Sequence, residues 1–274
     1  MKSKTESNSS SFIAKKSLGQ HFLNSDAVPN WLCDAADLVP GDVVLEIGPG
    51  TGVLTRELLK RSVHVVAVET DKRSLELLQK DFASYIKTKQ LQLVAADVRN
   101  GLPDHPLLSP GNFKVVANIP YYLSGFLFRT LLETHQQPHT AVLLVQKEVA
   151  ERVARDQKSS LLSLSVKLFG TPTYIRTVSR GHFNPPPKVA SAILAITNIG
   201  HRHIPPSEVA AFFSFLHLGF AHKRKQLVGN LSSTYERAHI TAALQEIGLD
   251  EHIRGEDIPL TTWIELYWSL GPQP

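Results

Sequence analysis

The chain of 274 residues has a single cysteine, Cys33. One thiol excludes an internal disulfide and any zinc site built from cysteines. No apolar run approaches the length of a membrane span, and residues 1–11 lack the apolar core of a signal peptide. No solenoid repeat is visible. The expectation is therefore a soluble, cytoplasmic, metal-free protein, with residues 1–14, rich in Ser, Lys and Asn, as a disordered tail. The chain also lacks two common phosphate-binding signatures. Its one glycine-rich turn, Gly48-Pro49-Gly50-Thr51-Gly52, is Gly-x-Gly-x-Gly and not the Gly-x-Gly-x-x-Gly of a dinucleotide site, and no Lys-Ser or Lys-Thr follows to make a P-loop.

Apolar material is plentiful, at 42% of residues, enough for a packed core. The formal net charge is +4, which permits a nucleic-acid partner without requiring one. From His201 onward there are six Lys+Arg against eight Asp+Glu, so the remaining 23 basic and 17 acidic residues lie in 1–200. A polyanion is expected to touch mainly the first part of the chain.

Val43 to Ile47 is a continuous apolar run broken only by Glu46, as expected of a parallel strand covered on both faces, and it feeds directly into the glycine turn. In an open α/β sheet such a turn lies at the carboxyl end of a strand, where ligands bind. Leu54 to Leu59 then reads as a crossover helix, and Val63 to Val68 as a second strand ending on Glu69. That acid stands about twenty residues past the turn, where a carboxylate meets ribose hydroxyls. Asp71 is a candidate cap for a helix from Lys72 to Ala83. A third strand, Leu91 to Ala95, ends at Asp97, placed to accept from an adenine amine. A fourth, Lys114 to Ala117, runs into Asn118-Ile119-Pro120-Tyr121-Tyr122. This alternation predicts a doubly wound α/β sheet, and a nucleoside gripped by base, ribose and tail accounts for what its strand ends carry.

An adenine amine is a poor nucleophile because its lone pair is conjugated into the ring. Two acceptors aimed at its hydrogens favour the pyramidal form: the Asn118 side-chain oxygen and a backbone carbonyl around Ile119-Pro120. Tyr121 is suited to stack on a base taken out of its helix, and its ring face also attracts a sulfonium. Farther on, Ala141 to Val145, Tyr174 to Val178 and Ala190 to Ile196 read as strands five to seven, with helices at Gly125 to Glu133, Gln146 to Val153 and Ser160 to Phe169. Between the last two strands, Phe183-Asn184-Pro185-Pro186-Pro187 is a stiff loop. Phe183 is either an aromatic plate opposite Tyr121 or a buried residue of a rigid connector. Near the start, Lys15 to Leu23 reads as an ordered loop before a helix through Trp31 that Asn24, Ser25 or Asp26 caps.

Asn198 to Pro206 is polar with Pro and Gly and marks the expected domain boundary. Helices alone are expected beyond it, at Ser207 to Gly219, Lys223 to Ser232, Tyr235 to Ile247 and Leu260 to Leu270. His222-Lys223-Arg224-Lys225 is a basic cluster at one helix start, suited to phosphate. Arg254 and Glu256 lie in a loop, where they can pair.

Seven motifs now stand in order: Gly19-Gln20-His21-Phe22-Leu23, Glu46 to Gly52, Glu69, Asp97, Asn118-Ile119-Pro120-Tyr121, Gln146-Lys147-Glu148-Val149, and Phe183 to Val189. From about Lys16 to Leu270 the chain resembles the rRNA adenine dimethyltransferase family, most closely its KsgA-type small-subunit branch. The resemblance implies a class I methyltransferase, Rossmann-like, with a seven-stranded mostly parallel sheet over 15–199 and a small all-α C-terminal domain over 200–274 that contacts RNA or the ribosome. It implies S-adenosyl-L-methionine as cofactor. The target is two adjacent adenosines in a hairpin loop near the 3′ end of small-subunit (16S) rRNA, met on an immature subunit by a monomeric enzyme. By position, Gln20, His21, Leu23, Gly48, Gly50, Glu69, Asp97 and Asn118 match cofactor contacts. Asn118, Pro120, Tyr121 and Phe183 match those around the target base. His21 stands where many members have Asn, Ala190 where Asp is usual, and Arg254-Gly255-Glu256 replaces Arg-Ala-Glu; Ser159 to Ser165 lacks a Tyr-Gly-Arg that often precedes this helix. The competing readings are the antibiotic-resistance branch, which modifies large-subunit rRNA, and a non-catalytic RNA-binding assembly factor.

Overall fold

The computed structural model describes residues 21–200 and 203–271; the expected tail over 1–14 and Gln20 lie outside the described residues. A two-residue strand β1 (Phe22–Leu23) leads into α1 (Ala27–Ala35). The α/β units follow: β2 (Val43–Ile47), α2 (Val53–Lys60), β3 (His64–Glu69), α3 (Lys72–Asp81) with a short α4 (Ala83–Lys87), β4 (Leu91–Ala95), β5 (Lys114–Asn118), α5 (Ser124–Leu132) and β6 (Thr140–Gln146). Helices α6 (Lys147–Ala154) and α7 (Leu161–Phe169) then precede β7 (Thr171–Val178), β8 (Phe183–Asn184) and β9 (Ser191–Thr197). The remainder is helical: α8 (Val209–Gly219), α9 (Leu227–Leu231), α10 (Arg237–Glu246) and α11 (Leu260–Leu270).

The large sheet has the order β4-β3-β2-β5-β6-β9-β7. Strands β2 to β6 pair in parallel, and β9 and β7 close one edge antiparallel. This is the expected doubly wound, mostly parallel α/β sheet. The chain winds outward from β2 to β4, then returns to β5 on the other side of β2. The order therefore reverses between β2 and β5, the crevice where such sheets bind ligands. The central strands are buried on both faces; Val44, Leu45, Val66, Val115 and Val116 have no exposed surface, each burial contributing about 1.5–3 kcal/mol. One core lies on the face of α1 and α2, with Val44, Leu54, Leu58, Val65 and Val116. The other runs from Leu45 and Val115 through Leu164 and Phe169 to Phe212, Phe215 and Trp263.

Element ends are set locally. The Asp71 carboxylate accepts the Arg73 backbone N–H and caps α3 as expected. Ser160 and Ser163 form a reciprocal capping box at α7. At α1 the N-cap position falls to Asp26, but its own backbone is helical and its side chain caps nothing. The expected side-chain cap from Asn24, Ser25 or Asp26 is thus absent: Asn24 and Ser25 turn to residues 181 and 182 instead. The helix expected from Lys223 contracts to α9, because the basic run Lys223 to Lys225 forms the turn before it. Glu256 pairs with Lys158 rather than with Arg254. That contact, with the Ser159 N–H donating to the Glu256 carbonyl, joins the α6–α7 loop to the last helices.

Candidate active site

The carboxyl ends of β2, β3, β4 and β5 surround one cavity, and its walls include His21, Gly48, Gly50, Glu69, Asp97, Asn118, Pro120, Tyr121 and Phe183. Nine of the residues singled out from the sequence thus meet around one space, although the chain separates the first from the last by 162 positions. Leu23 does not join them. Alternation along β1 points Phe22 at the cavity and Leu23 into the core beside Phe183.

The turn after β2 is anchored by the Gly48 N–H, which donates to the Val68 carbonyl at 2.9 Å. Gly48 has φ +68, a conformation that favours glycine, and a Cβ there would meet nothing within 4 Å. A side chain would stand in space the turn leaves open. Gly50 is packed by the Phe22 ring, 2.9 Å from where its Cβ would be. Glu69 braces the same turn: one carboxylate oxygen accepts from the Gly50 N–H at 3.1 Å, the other from the N–H groups of Thr70 and Asp71 at 2.8 and 2.9 Å. Three of about four lone-pair positions are used, which leaves one acceptor on the Gly50 side. Asp97 at the end of β4 is held by Arg99 through its backbone N–H and guanidinium, and the guanidinium draws its pKa below the usual carboxylate range.

Asn118 is the last residue of β5, and its Nδ2 donates to the His21 carbonyl at 3.3 Å. That bond fixes the amide's orientation and leaves Oδ1 as its free acceptor. The Tyr121 hydroxyl is 2.6 Å from Ser191 Oγ, and burial raises its pKa, so the phenol stays neutral. The His21 ring stacks on Tyr121 with centroids 5.8 Å apart at 29°, and its Nδ1 lies 2.8 Å from the Pro185 carbonyl oxygen.

The expected Tyr121–Phe183 pair is arranged differently from a simple open clamp. Strands β1 and β8 pair antiparallel, Phe22 opposite Asn184 and Leu23 opposite Phe183. Phe183 is only 3% exposed, so it forms a wall of the cavity as well as part of the core. One face of Tyr121 is taken by His21, leaving at most the other for a base. Phe22, Thr70, Arg99 and Tyr122 also line the cavity; none was singled out from the sequence. No sequence signal marks Phe22, since β1 has only two residues; a basic residue two places after Asp97 is the signal for Arg99.

A family model described as ribosomal RNA adenine dimethylase matches residues 11–270. The chain belongs to this family. It is 38% identical over 264 residues to the ribosomal RNA small subunit methyltransferase A of Dehalococcoides mccartyi (strain ATCC BAA-2100 / JCM 16839 / KCTC 5957 / BAV1), covering 95% of this chain and 90% of the relative. Among solved structures, the 23S rRNA methyltransferase ErmE superposes with TM-score 0.74 at 26% identity, over 91% of this chain and 99% of that one. A dimethyladenosine transferase from Plasmodium falciparum gives TM-score 0.74 at 26% identity, over 90% and 96%. With membership come the class I methyltransferase fold, the enzyme class of rRNA adenine dimethyltransferases and S-adenosylmethionine as methyl donor, as the sequence motifs implied. The walls fit that cofactor: a glycine turn open to the cavity, and carboxylates at the next two strand ends. Among the described residues no cluster of metal-ligating side chains occurs and no helix is long and apolar enough to cross a membrane.

Proposed function

We propose that the protein dimethylates the exocyclic amines of two adjacent adenosines in a hairpin loop near the 3′ end of small-subunit rRNA. The substrate is a late, immature small subunit, and the enzyme acts as a cytoplasmic monomer. Residues 15–199 form the catalytic domain, and 200–274 a helical domain in contact with RNA or the ribosome. The observation that carries the reading is the Asn118 amide, tied by its nitrogen to the His21 carbonyl on the wall it shares with Glu69 and Asp97.

S-adenosylmethionine supplies an electrophilic methyl on a sulfonium. The chain's own residues supply position and polarity. Glu69 would offer its remaining acceptor position to a ribose hydroxyl, Asp97 would meet the cofactor adenine amine, and Gly48 would leave room for the cofactor. Asn118 Oδ1 and a backbone carbonyl near Pro120 would accept the target amine's hydrogens, which frees its lone pair to form the new N–C bond as the methyl–sulfur bond breaks and its electron pair stays on the sulfur as a neutral thioether. The amine turns acidic only as that bond forms, so no strong base is needed beforehand, and its surplus proton passes to water. Tyr121 and Phe183 hold the everted base between apolar walls. Small-subunit naming of the relatives supports the target over the large-subunit alternative.

Two measurements test this. Mass spectrometry of rRNA from cells with and without the protein should show dimethyladenosine lost at neighbouring positions near the small-subunit 3′ end. In vitro, immature small subunits should be methylated and protein-free large-subunit rRNA should not. Asn118→Ala should lower methyl transfer by about 10²-fold or more, the usual effect of removing a positioned polar group, with cofactor affinity changed far less. Assembly supported equally by both proteins, with neither transferring methyl, would leave the binding-factor alternative instead.

A further inference from the structure

Tyr121 is held at three points. Its carbonyl accepts from the Ser124 hydroxyl at 3.0 Å, and the His21 ring covers one face. The third hold is at the far end of the side chain, where the phenol lies 2.6 Å from Ser191 Oγ. Ser191 is the first residue of β9 and stands 70 positions along the chain from Tyr121. It has no exposed surface and forms no part of the cavity wall. Its backbone is fixed on both sides, opposite Gln146 of β6 and Val178 of β7, so its hydroxyl is anchored in the sheet. A hydrogen bond at the para position does not stop a ring turning about its own axis, but it fixes where that axis ends. The stacked imidazole stops the turn. Together they set the plane that Tyr121 offers to a base on its remaining face.

The two methyl transfers do not need that plane equally. The inference rests on the functional reading above, in which Asn118 Oδ1 and a backbone carbonyl near Pro120 accept the hydrogens of the target amine. Each transfer forms an N–C bond, breaks the methyl–sulfur bond with its electron pair left on sulfur, and passes one amine proton to water. The unmethylated amine brings two N–H donors to two acceptors. The monomethylated amine has one N–H left, so one polar anchor is gone and the orientation of the base falls more heavily on stacking against Tyr121. We propose that Ser191 is a positioning residue for the second methylation: by holding the Tyr121 phenol it keeps the monomethylated base aligned with the donor methyl. Buried away from the cavity, Ser191 acts only through Tyr121.

The test uses the whole protein, immature small subunits from cells that lack it, and mass spectrometry of monomethyl- and dimethyladenosine over a time course. Ser191→Ala should slow the second transfer by about 2–12-fold, the factor one neutral hydrogen bond supplies, and the first by clearly less. Monomethyladenosine should therefore accumulate above the wild-type level, while affinity for S-adenosylhomocysteine stays unchanged. Tyr121→Phe removes the other half of the same bond without altering β9, and it should give the same accumulation. The double variant should accumulate no more than either single one, because the two hydroxyls act as a unit. Should Ser191→Ala fail to fold by circular dichroism, Tyr121→Phe decides alone. Equal slowing of both transfers in Ser191→Ala, or a wild-type product ratio in Tyr121→Phe, overturns the proposal. Dimethyladenosine made by wild type, with that ratio unchanged in both variants, sinks the positioning role alone. A wild type that binds S-adenosylhomocysteine yet transfers no methyl to these subunits sinks the functional reading beneath it.

Discussion

At the scale of single residues, two side chains make opposite demands on their surroundings. Cys33 is fully buried and burial pushes its thiol up to about 12. Since the thiolate is the reactive form, native protein should resist a thiol reagent such as dithionitrobenzoate at pH 8 and react only in denaturant; rapid native labelling would show that α1 opens readily. Trp263 is equally buried and lies between two glycines. A Cβ on Gly219 would fall 2.3 Å from its ring, and one on Gly255 3.0 Å. This explains why glycine replaces the alanine usual in Arg-Ala-Glu: a methyl at 255 presses on the indole, whose Nε1 donates to the Gly255 carbonyl. Gly219→Ala should lower stability to denaturant by about 1–3 kcal/mol, the range for overpacking a rigid core, and Gly255→Ala by less.

At the scale of elements, β2 carries an unusual load. Glu46 has no exposed surface, and neither carboxyl oxygen has a hydrogen-bond partner. Burial raises its pKa from the ordinary 4.5 to about 8, with the Glu69 charge adding to the rise and the facing Thr55 opposing it. The native state therefore holds a proton that the unfolded state releases between those values, and stability should fall as pH rises from about 4.5 to about 8. The slope from this group is at most about 1.4 kcal/mol per pH unit. Glu46→Gln should remove that slope and be the more stable form at pH 8, by urea unfolding at several pH values. Parallel profiles for the two proteins would show that Glu46 ionises freely.

The same elements show what a sequence makes legible. Buried parallel strands are uninterrupted apolar runs, so β2 to β6 were readable within a residue or two, and their ends named Gly48, Glu69, Asp97 and Asn118. Strands β1 and β8 were not readable, because two residues carry no period and their pairing spans the fold. The inward turn of Leu23 and the cavity-facing turn of Phe22 follow from that pairing. The basic stretch Lys223 to Lys225 looked helical on composition, yet the turn that holds it is set by packing: the Asn230 amide donates to the Gly219 and His222 carbonyls and stitches the loop shut. Likewise Glu256 found Lys158, far away in sequence, rather than the nearby Arg254.

At the scale of the whole molecule, one apolar core joins the sheet to the last helices. It passes from Leu45 and Val115 through Leu164 and Phe169 to Phe212 and Trp263, and the Lys158–Glu256 and Ser159–Ile258 contacts fasten its edge. Thermal unfolding should accordingly be one cooperative transition by calorimetry and circular dichroism. Two resolved transitions would mean that the proposed catalytic and helical domains are independent folding units.

The β1–β8 clasp also has a consequence for synthesis. Phe22 cannot settle opposite Asn184 until that partner has left the ribosome. By then the strand tips bearing Gly48, Glu69, Asp97 and Asn118 have long been made. A nascent chain therefore carries most of the chemistry before Phe22 and Phe183 close around the cavity, and competence arrives late, when β8 reaches back to the much earlier β1.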